Sequence, residues 1–283
     1  MREKAFRFGV VSGGHLSSSD WTTLAQRAEM MGYSTLILPD VLGAPSATLT
    51  AMAMAGAVTT KLRVGSFVLV NDYRHPALLA REIATLDRLT DGRVELALGA
   101  GAWPQEFQQL GIPYEAAGVR VSRLIEGLTI IKQFFTQETV SFTGEYYTIE
   151  SLRALPRPAQ QPHPPIVIAS SGKRMLTWAA REANTIFPTP ATEERIGWIR
   201  EAAGARFDEI ELGQSAFDIE LTDGPRAATR NINGLAVQSH PMTTEQAIDL
   251  LLERRARLGI SYVPVQEQQM ENFAPVLARL NDK

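Results

Sequence analysis

Four apolar runs of strand length fall within the first hundred residues, closing at Ser12, Asp40, Asn71 and Gly101, and each is followed by an amphipathic helical pattern. Repetition of strand then helix constrains this chain more than any other feature. Parallel strands need long crossover connections, so an alternating chain builds a parallel sheet covered by helices, with chemistry at the C-terminal strand ends. Strands are expected at Phe6–Val11, Thr35–Pro39, Arg63–Val70, Val94–Gly99, Ile166–Ala169, Thr185–Pro188, Glu211–Ile219 and Ser261–Val265. Helices are expected at Trp21–Met31, Ser46–Thr60, Pro76–Leu89, Val119–Phe135, Lys173–Arg181, Glu193–Ala203, Thr244–Leu258 and Met270–Leu280. Such a series predicts an α/β fold, a (β/α)8 TIM barrel, as one domain over residues 1–283.

Local chemistry supports several of these elements. Leu124, Leu128, Ile131 and Phe135 share one helical face, and Gly32 and Gly259 stand where a helix ends in a left-handed residue. Thr243 with Gln246 forms a capping-box pattern ahead of Ile248, Leu251 and Leu252. Two stretches break the rhythm. Residues 138–165 hold Val140-Ser141-Phe142 and Tyr146-Tyr147-Thr148-Ile149 around Gly144-Glu145, which reads as an inserted hairpin. The prolines that follow, Pro156, Pro158, Pro162, Pro164 and Pro165, favour an extended connector packed across the barrel. Residues 222–242, rich in Gly, Pro, Asn and Arg, read as an irregular loop, either at the mouth of the barrel or on the outer surface.

Composition removes whole classes of function. With 45% hydrophobic residues, a net charge of −3 and no basic run, the chain has no electrostatic footprint for nucleic acid or a membrane surface. No apolar segment approaches the ~20 residues that span a bilayer. The absence of cysteine excludes disulfides, thiolate metal sites and a thiol nucleophile, and no export signal stands at the N-terminus, so a cytoplasmic protein is expected. The sequence lacks HExxH, paired histidine ligands and an acidic metal cluster, and no metal is expected. P-loop, GxGxxG and GxSxG spacings are absent as well.

Candidate site residues stand at the strand ends. Asp40 closes the second strand, where a carboxylate would accept hydrogen bonds from a bound heterocycle or orient the next loop. His75 precedes Pro76, a position that favours a role in starting the helix over one as general acid. Gly99-Ala100-Gly101-Ala102 lets the backbone approach a flat ligand closely. The strongest local signal is Ser170-Ser171-Gly172-Lys173-Arg174, which runs from a strand into a helix and so aims backbone N–H groups, hydroxyls and a positive dipole at a phosphate. The alternative for Lys173 and Arg174 is a pair of solvated first-turn residues.

Across nearly its whole length the chain resembles the bacterial luciferase-like flavin and deazaflavin oxidoreductases, especially those that use coenzyme F420. The resemblance rests on ordered segments: Arg7-Phe8-Gly9-Val10, Ala28-Glu29 with Gly32-Tyr33, Arg74-His75-Pro76 through Arg81-Glu82, Thr85-Leu86-Asp87-Arg88-Leu89 with Gly92-Arg93, Leu98-Gly99-Ala100-Gly101, Glu106-Phe107 with Leu110-Gly111-Ile112-Pro113, and Arg157-Pro158 through Pro164-Pro165-Ile166. It implies a luciferase-like barrel that lays coenzyme F420, or alternatively FMN, across its mouth. A non-prolyl cis peptide at Phe67–Val68 would back the ring. Asp40, Val68, Val70, Asn71, Ala100, Gly101 and Gln105 would surround the ring and ribityl chain, and Ser170, Ser171, Gly172 and Lys173 would reach the phosphate.

Two departures matter. Deazaflavin-dependent relatives often carry His after the aspartate that is Asp40 here, where this chain has Val41; others place an acid or Trp after the Gly-x-Gly, where this chain has Ala102. No catalytic acid or base is therefore assigned from sequence. The resemblance implies hydride transfer between F420 and a small organic substrate, such as an alcohol, imine or activated double bond. The alternatives are a monooxygenase using reduced FMN and a non-catalytic cofactor-binding subunit. It also implies a homodimer through the second and third units, where Met52, Met54 and Pro76–Leu89 would contribute, unless these residues pack on their own barrel. Arg226, Arg230 and Asn233 would contact substrate or a polyglutamate tail.

Overall fold

Runs of β-branched and aliphatic residues, buried on both faces, become the strands of a closed parallel barrel, which is the pattern expected of strands flanked by helices outside and side chains inside. The computed structural model describes residues 4–223 and 239–281. The strands are β1 (Arg7–Val11), β2 (Thr35–Leu38), β3 (Arg63–Ser66), β4 (Leu69–Val70), β5 (Val94–Gly99), β6 (Thr139–Thr143), β7 (Thr148–Arg153), β8 (Ile166–Ser170), β9 (Thr185–Pro188), β10 (Glu211–Gly213), β11 (Ile219–Leu221), β12 (His240–Met242) and β13 (Ile260–Gln266). The helices are α1 (Ser18–Met30), α2 (Thr48–Ala57), α3 (Pro76–Leu89), α4 (Pro104–Leu110), α5 (Ala117–Thr136), α6 (Lys173–Glu182), α7 (Glu193–Ala203), α8 (Thr244–Leu258) and α9 (Ala274–Leu280).

Hydrogen bonding runs β3, β2, β1, β13, β10, β9, β8, β5, and pairing of β3 with β5 closes the ring. With β4 continuing the line of β3, this is an eight-stranded parallel barrel with helices outside, as the alternation predicted. Register fixes which residues point inward. Ile37, Ala97, Val167, Phe187 and Tyr262 form the inner cluster, while Phe8, Val10, Leu36, Leu96 and Leu98 join the larger core between strands and helices. Gly9 is small because the interior is full: a Cβ there would lie 2.7 Å from Ile37 Cδ1.

The N-terminal base of the barrel is plugged by charge. Arg7 meets Glu95 at 2.5 Å and Glu211 at 2.6 Å, Arg63 meets Glu95 at 2.9 Å, and the Arg7 guanidinium lies 3.5 Å from the Tyr262 ring centroid. Burial works against the Arg7 charge, yet Tyr262, Glu95 and Glu211 together hold its pKa above the ordinary arginine value.

The structure departs from the sequence reading at several elements. The third strand is not continuous but divides at Phe67–Val68, whose peptide bond is cis. The seventh strand stops at Gly213, where a Cβ would strike the Phe187 ring at 2.3 Å; beyond it Asp218 pairs with Arg254 of α8 at 2.5 Å. Residues Ile219–Leu221 instead pair in parallel with His240–Met242 in a separate small sheet. The last helix begins at Ala274 rather than Met270, with Pro275 in its first turn. The sequence reading also contained no counterpart of α4.

The inserted hairpin forms as β6 and β7, antiparallel. Its tip climbs along α5, where the Glu126 carboxylate accepts from the backbone N–H groups of Glu145 (2.8 Å) and Tyr146 (3.0 Å). The proline-rich connector then crosses the base. There the Gln160 side chain donates to Asp87 (2.7 Å) and the Val94 carbonyl (2.9 Å), and accepts from Arg63 (2.9 Å). Residues 224–238 of the second insertion, including Arg226, Arg230 and Asn233, lie outside the described residues. No helix among the described residues is long and apolar enough to cross a membrane.

Candidate active site

At the C-terminal mouth, the ends of β2, β3, β4, β5 and β8 surround a cavity of about 380 Å³. Seven of the residues singled out from sequence line it: Asp40, Val68, Val70, Ala100, Gly101, Ser170 and Ser171. Its other walls come from Phe67, Val121, Leu124, Ala169 and Met175, with Trp103 at the rim. Val41 and Ala102 face the same space, so neither departure is displaced from the site. Below the cavity lies an aromatic floor, with Phe67 edge-on to Phe187 at 4.9 Å and Phe187 edge-on to Tyr262 at 5.3 Å.

Small residues shape the wall beside β5. A Cβ at Gly99 would lie 2.6 Å from Val68 Cγ2. Gly101, with φ +79°, turns the chain where a Cβ would meet the Phe107 ring at 2.6 Å. Arg120 of α5 holds this turn from behind. Its buried guanidinium donates to the Ala100 carbonyl at 2.8 Å and to the Gly101 carbonyl, and it stacks 4.0 Å from the Tyr114 ring centroid. Sequence reasoning missed Arg120. The available signal was its place four residues before Leu124 on the apolar face of a helix.

Asp40 lines the cavity, but its oxygens are already engaged. They accept from Arg74 (2.6 and 2.9 Å), the Val70 backbone N–H (3.0 Å) and Thr48 (3.2 Å). Of the two roles open to it from sequence, the structure displays the loop-orienting one. Burial weighs against the Arg74 charge, and the hydrogen bonds to Asp40 more than restore it, so its pKa stands above the ordinary value. His75 caps α3, its ring nitrogen accepting from the Ala77 N–H at 3.3 Å, which is the structural reading of that residue.

The other four candidates lie off the cavity wall. Asn71 is buried beneath the hairpin, its amide donating to Tyr147 (3.1 Å) and Asp72 (3.0 Å), and Gly127 is bare where a Cβ would meet Asn71 Oδ1 at 2.3 Å. Gln105 faces an adjoining hollow bordered by Val41, Gly43, Trp103 and Glu106. There Glu106 accepts from the Leu42 N–H and from Tyr73, both at 2.9 Å, tying α4 to the loop after β2. Gly172 and Lys173 begin α6 at the cavity's edge.

That edge is suited to an anion. No side chain caps α6, whose N-cap is Gly172, and Ser170 Oγ beside it accepts from the Gly172 N–H at 3.2 Å. A Cβ at Gly172 would have no neighbour closer than 4.0 Å, leaving room for a bound group. Lys173 Nζ is 5.5 Å from the Trp198 ring, and Arg195 of α7 donates to the Ser171 carbonyl at 3.1 Å, placing another cation at the loop. Arg195 was not visible from sequence because its partner lies 24 residues away. A planar ring carrying an anionic tail thus matches both parts: apolar walls and floor, then uncapped helix donors. Among the described residues no group of three or more His, Cys, Asp or Glu is placed to hold a metal.

Comparison with known proteins gives the same direction. The model of a family described as luciferase-like monooxygenase matches residues 6–262. An F420-dependent glucose-6-phosphate dehydrogenase of Nakamurella multipartita is 31% identical over 229 residues, 75% of this chain and 67% of the relative. An FMNH(2)-dependent dimethylsulfone monooxygenase of Pseudomonas putida is 30% identical over 167 residues, 58% of this chain but 46% of the relative. In fold, the chain superposes on a coenzyme F420-dependent tetrahydromethanopterin reductase of Methanopyrus kandleri with TM-score 0.79, at 18% identity, covering 99% of both chains.

Proposed function

Because the chain belongs to the luciferase-like monooxygenase family, we propose that it is a deazaflavin-dependent oxidoreductase that moves hydride between coenzyme F420 and a small, largely apolar organic substrate. The observation that carries this reading is the cavity wall. Asp40 is the ionisable residue lining it, and both its oxygens are engaged within the protein. Hydride transfer between stacked partners depends chiefly on approach and orientation, so a close apolar slot with bound, oriented reactants supplies most of what that step needs. The greater coverage of the F420-dependent relative, 75% of this chain against 58% for the FMNH(2)-dependent one, supports the same choice.

When bound, the deazaflavin supplies the hydride acceptor or donor. The protein's part is binding and exclusion of water. Val68, Val70, Ala100 and Gly101 would flank the ring; Arg120 fixes the Ala100–Gly101 turn; Ser170, Ser171, Gly172, Lys173 and Arg195 would receive the phosphate. Trp103, Leu110 and Leu42, each more than a third exposed around the mouth, favour an apolar substrate.

Calorimetric titration with F420 and with FMN, each oxidised and reduced, tests the reading. Micromolar or tighter binding of F420 with weak FMN binding is the expected result. Preference for reduced FMN would move the assignment to oxygen insertion, and binding of neither would leave a non-catalytic subunit.

A further inference from the structure

The cavity wall leaves a chemical gap. Oxidising an alcohol, or reducing a carbonyl, moves a proton as well as a hydride, and neither Val41 nor Ala102 can carry one. Asp40 is held by Arg74, Val70 and Thr48. A half-buried cluster stands across the mouth. At the end of β1, Ser12 donates to Glu267 Oε2 at 2.6 Å, and His15 Nε2 lies 2.8 Å from Glu267 Oε1, just beyond β13.

Barrel order fixes where this cluster stands on the rim. Going round the ring, β1 is four positions from β8, and β13 is four positions from β5. The Ser12–His15–Glu267 cluster therefore stands opposite the two strands whose ends carry Ala100, Gly101 and Ser170. A planar ligand backed by those strands would turn its open face toward this side of the rim.

The loop carrying His15 is built, not loose. Ser12 Oγ accepts from the Gly14 N–H at 3.0 Å, Ser46 donates to the His15 carbonyl at 2.8 Å, and Gly14, at φ +89°, packs where a Cβ would meet Ser46 at 2.9 Å. Glu267 is the charged group in contact with the ring; from α1 the neighbour is Trp21, with ring centroids 6.2 Å apart. A carboxylate at Nε2 selects the neutral tautomer that carries its proton there. The lone pair is left on Nδ1, for which no protein partner is recorded among the described residues.

We propose that His15, oriented by Glu267, is the catalytic acid and base of this enzyme, acting on an alcohol or carbonyl substrate; the proposal rests on the deazaflavin reading above. In the oxidative direction, His15 Nδ1 takes the hydroxyl proton. The carbinol carbon loses its hydrogen with both bonding electrons to the oxidised deazaflavin, and the C–O bond becomes a carbonyl. Glu267 stabilises the imidazolium so formed, and the reverse reaction returns the proton to the carbonyl oxygen. Ser12 keeps Glu267 in place and is a positioning residue.

The test is nitrogen NMR of protein labelled with 15N-histidine, with His15 assigned through His15→Gln. Without added cofactor, His15 is expected as the Nε2–H tautomer, and Glu267→Gln, which keeps the shape and the Ser12 contact, is expected to convert it to a tautomer mixture. In F420-loaded protein, millimolar trifluoroethanol, an alcohol that cannot readily be oxidised, is expected to shift the Nδ1 signal of His15, while His15→Gln binds F420 with unchanged affinity. A proton on Nδ1 in the resting protein, no response to trifluoroethanol, or loss of F420 affinity in His15→Gln would each overturn the assignment. Failure of the unmodified protein to bind F420 would instead remove the functional reading, and the resting tautomer would still judge His15.

Discussion

The two ends of this barrel solve opposite problems with the same strands. At the base, Arg7, Arg63, Glu95 and Glu211 fill the interior with paired charge, and the proline-rich connector closes over them through Gln160. At the mouth, side chains withdraw: Gly99, Ala100, Gly101 and Ala169 leave a cavity whose ionisable lining residue, Asp40, is already partnered. The base uses polarity to seal, whereas the mouth uses its absence to make room. Stability and binding should therefore respond to different substitutions.

The sharpest way to break that contrast is Glu95→Leu. It strips Arg63 and Arg7 of a nearly buried carboxylate, a loss of about 3 kcal/mol when one member of a buried ion pair is removed. Urea denaturation should show this loss, while calorimetry should find cofactor affinity unchanged in the folded protein. A parallel fall in affinity would mean that base and mouth are not separable.

Next in size is Gly101→Ala. A side chain at φ +79° with a Cβ 2.6 Å from the Phe107 ring costs about 1–3 kcal/mol. Because the turn forms the cavity wall, this variant should lose affinity as well as thermal stability. Retained affinity would place the ligand elsewhere.

Gly172→Asp should separate the two properties in opposite directions. An aspartate at the bare N-cap of α6, in extended backbone at φ −89°, stabilises the helix relative to glycine by roughly a few tenths of a kcal/mol. The same negative charge repels a bound phosphate by ~1 kcal/mol, roughly fivefold in affinity. Lys173→Ala should weaken binding without the gain in melting temperature. If neither variant alters cofactor affinity, the phosphate does not lie at α6.

The smallest expected effect concerns His163 in the connector, whose Nδ1–H donates to the Pro164 carbonyl at 2.8 Å. Burial lowers its pKa below the ordinary 6.5, against the opposing pull of the Pro164 carbonyl. Above pH 6.5 the ring is neutral folded or unfolded. As pH falls below that, the unfolded chain takes up the proton first, so stability declines. His163→Asn should flatten this slope in melting curves taken from pH 7 to 5, and an unchanged slope would assign it to other groups.

The barrel was legible because strands buried on both faces are written as unbroken apolar runs, such as Leu36-Ile37-Leu38 and Val94 to Leu98. Cavity residues at the ends of β2, β5 and β8 were legible for the same reason, since those runs announce where they stop. What escaped depended on contacts distant in sequence. Asn71 is fixed by Tyr147, 76 residues on, which carries it beneath the hairpin and away from the cavity. Arg120 and Arg195 act on backbone carbonyls, which have no side-chain signature. Glu267 meets Ser12 across 255 residues, so no local pattern marked His15. Gly213 ended its strand early because of an aromatic ring on β9 that no local pattern reveals.

The wall at Val68 carries a consequence for stereochemistry. A flat ligand anchored by its anion at α6 and laid against Val68 and Gly99 would keep one face against that wall and show the other to the mouth. While it stayed so seated, one of its two faces would be hidden. Hydrogen arriving from, or departing to, a substrate in the mouth would then cross a single prochiral face, and the handedness of the barrel would be copied into the product as isotopic or optical purity.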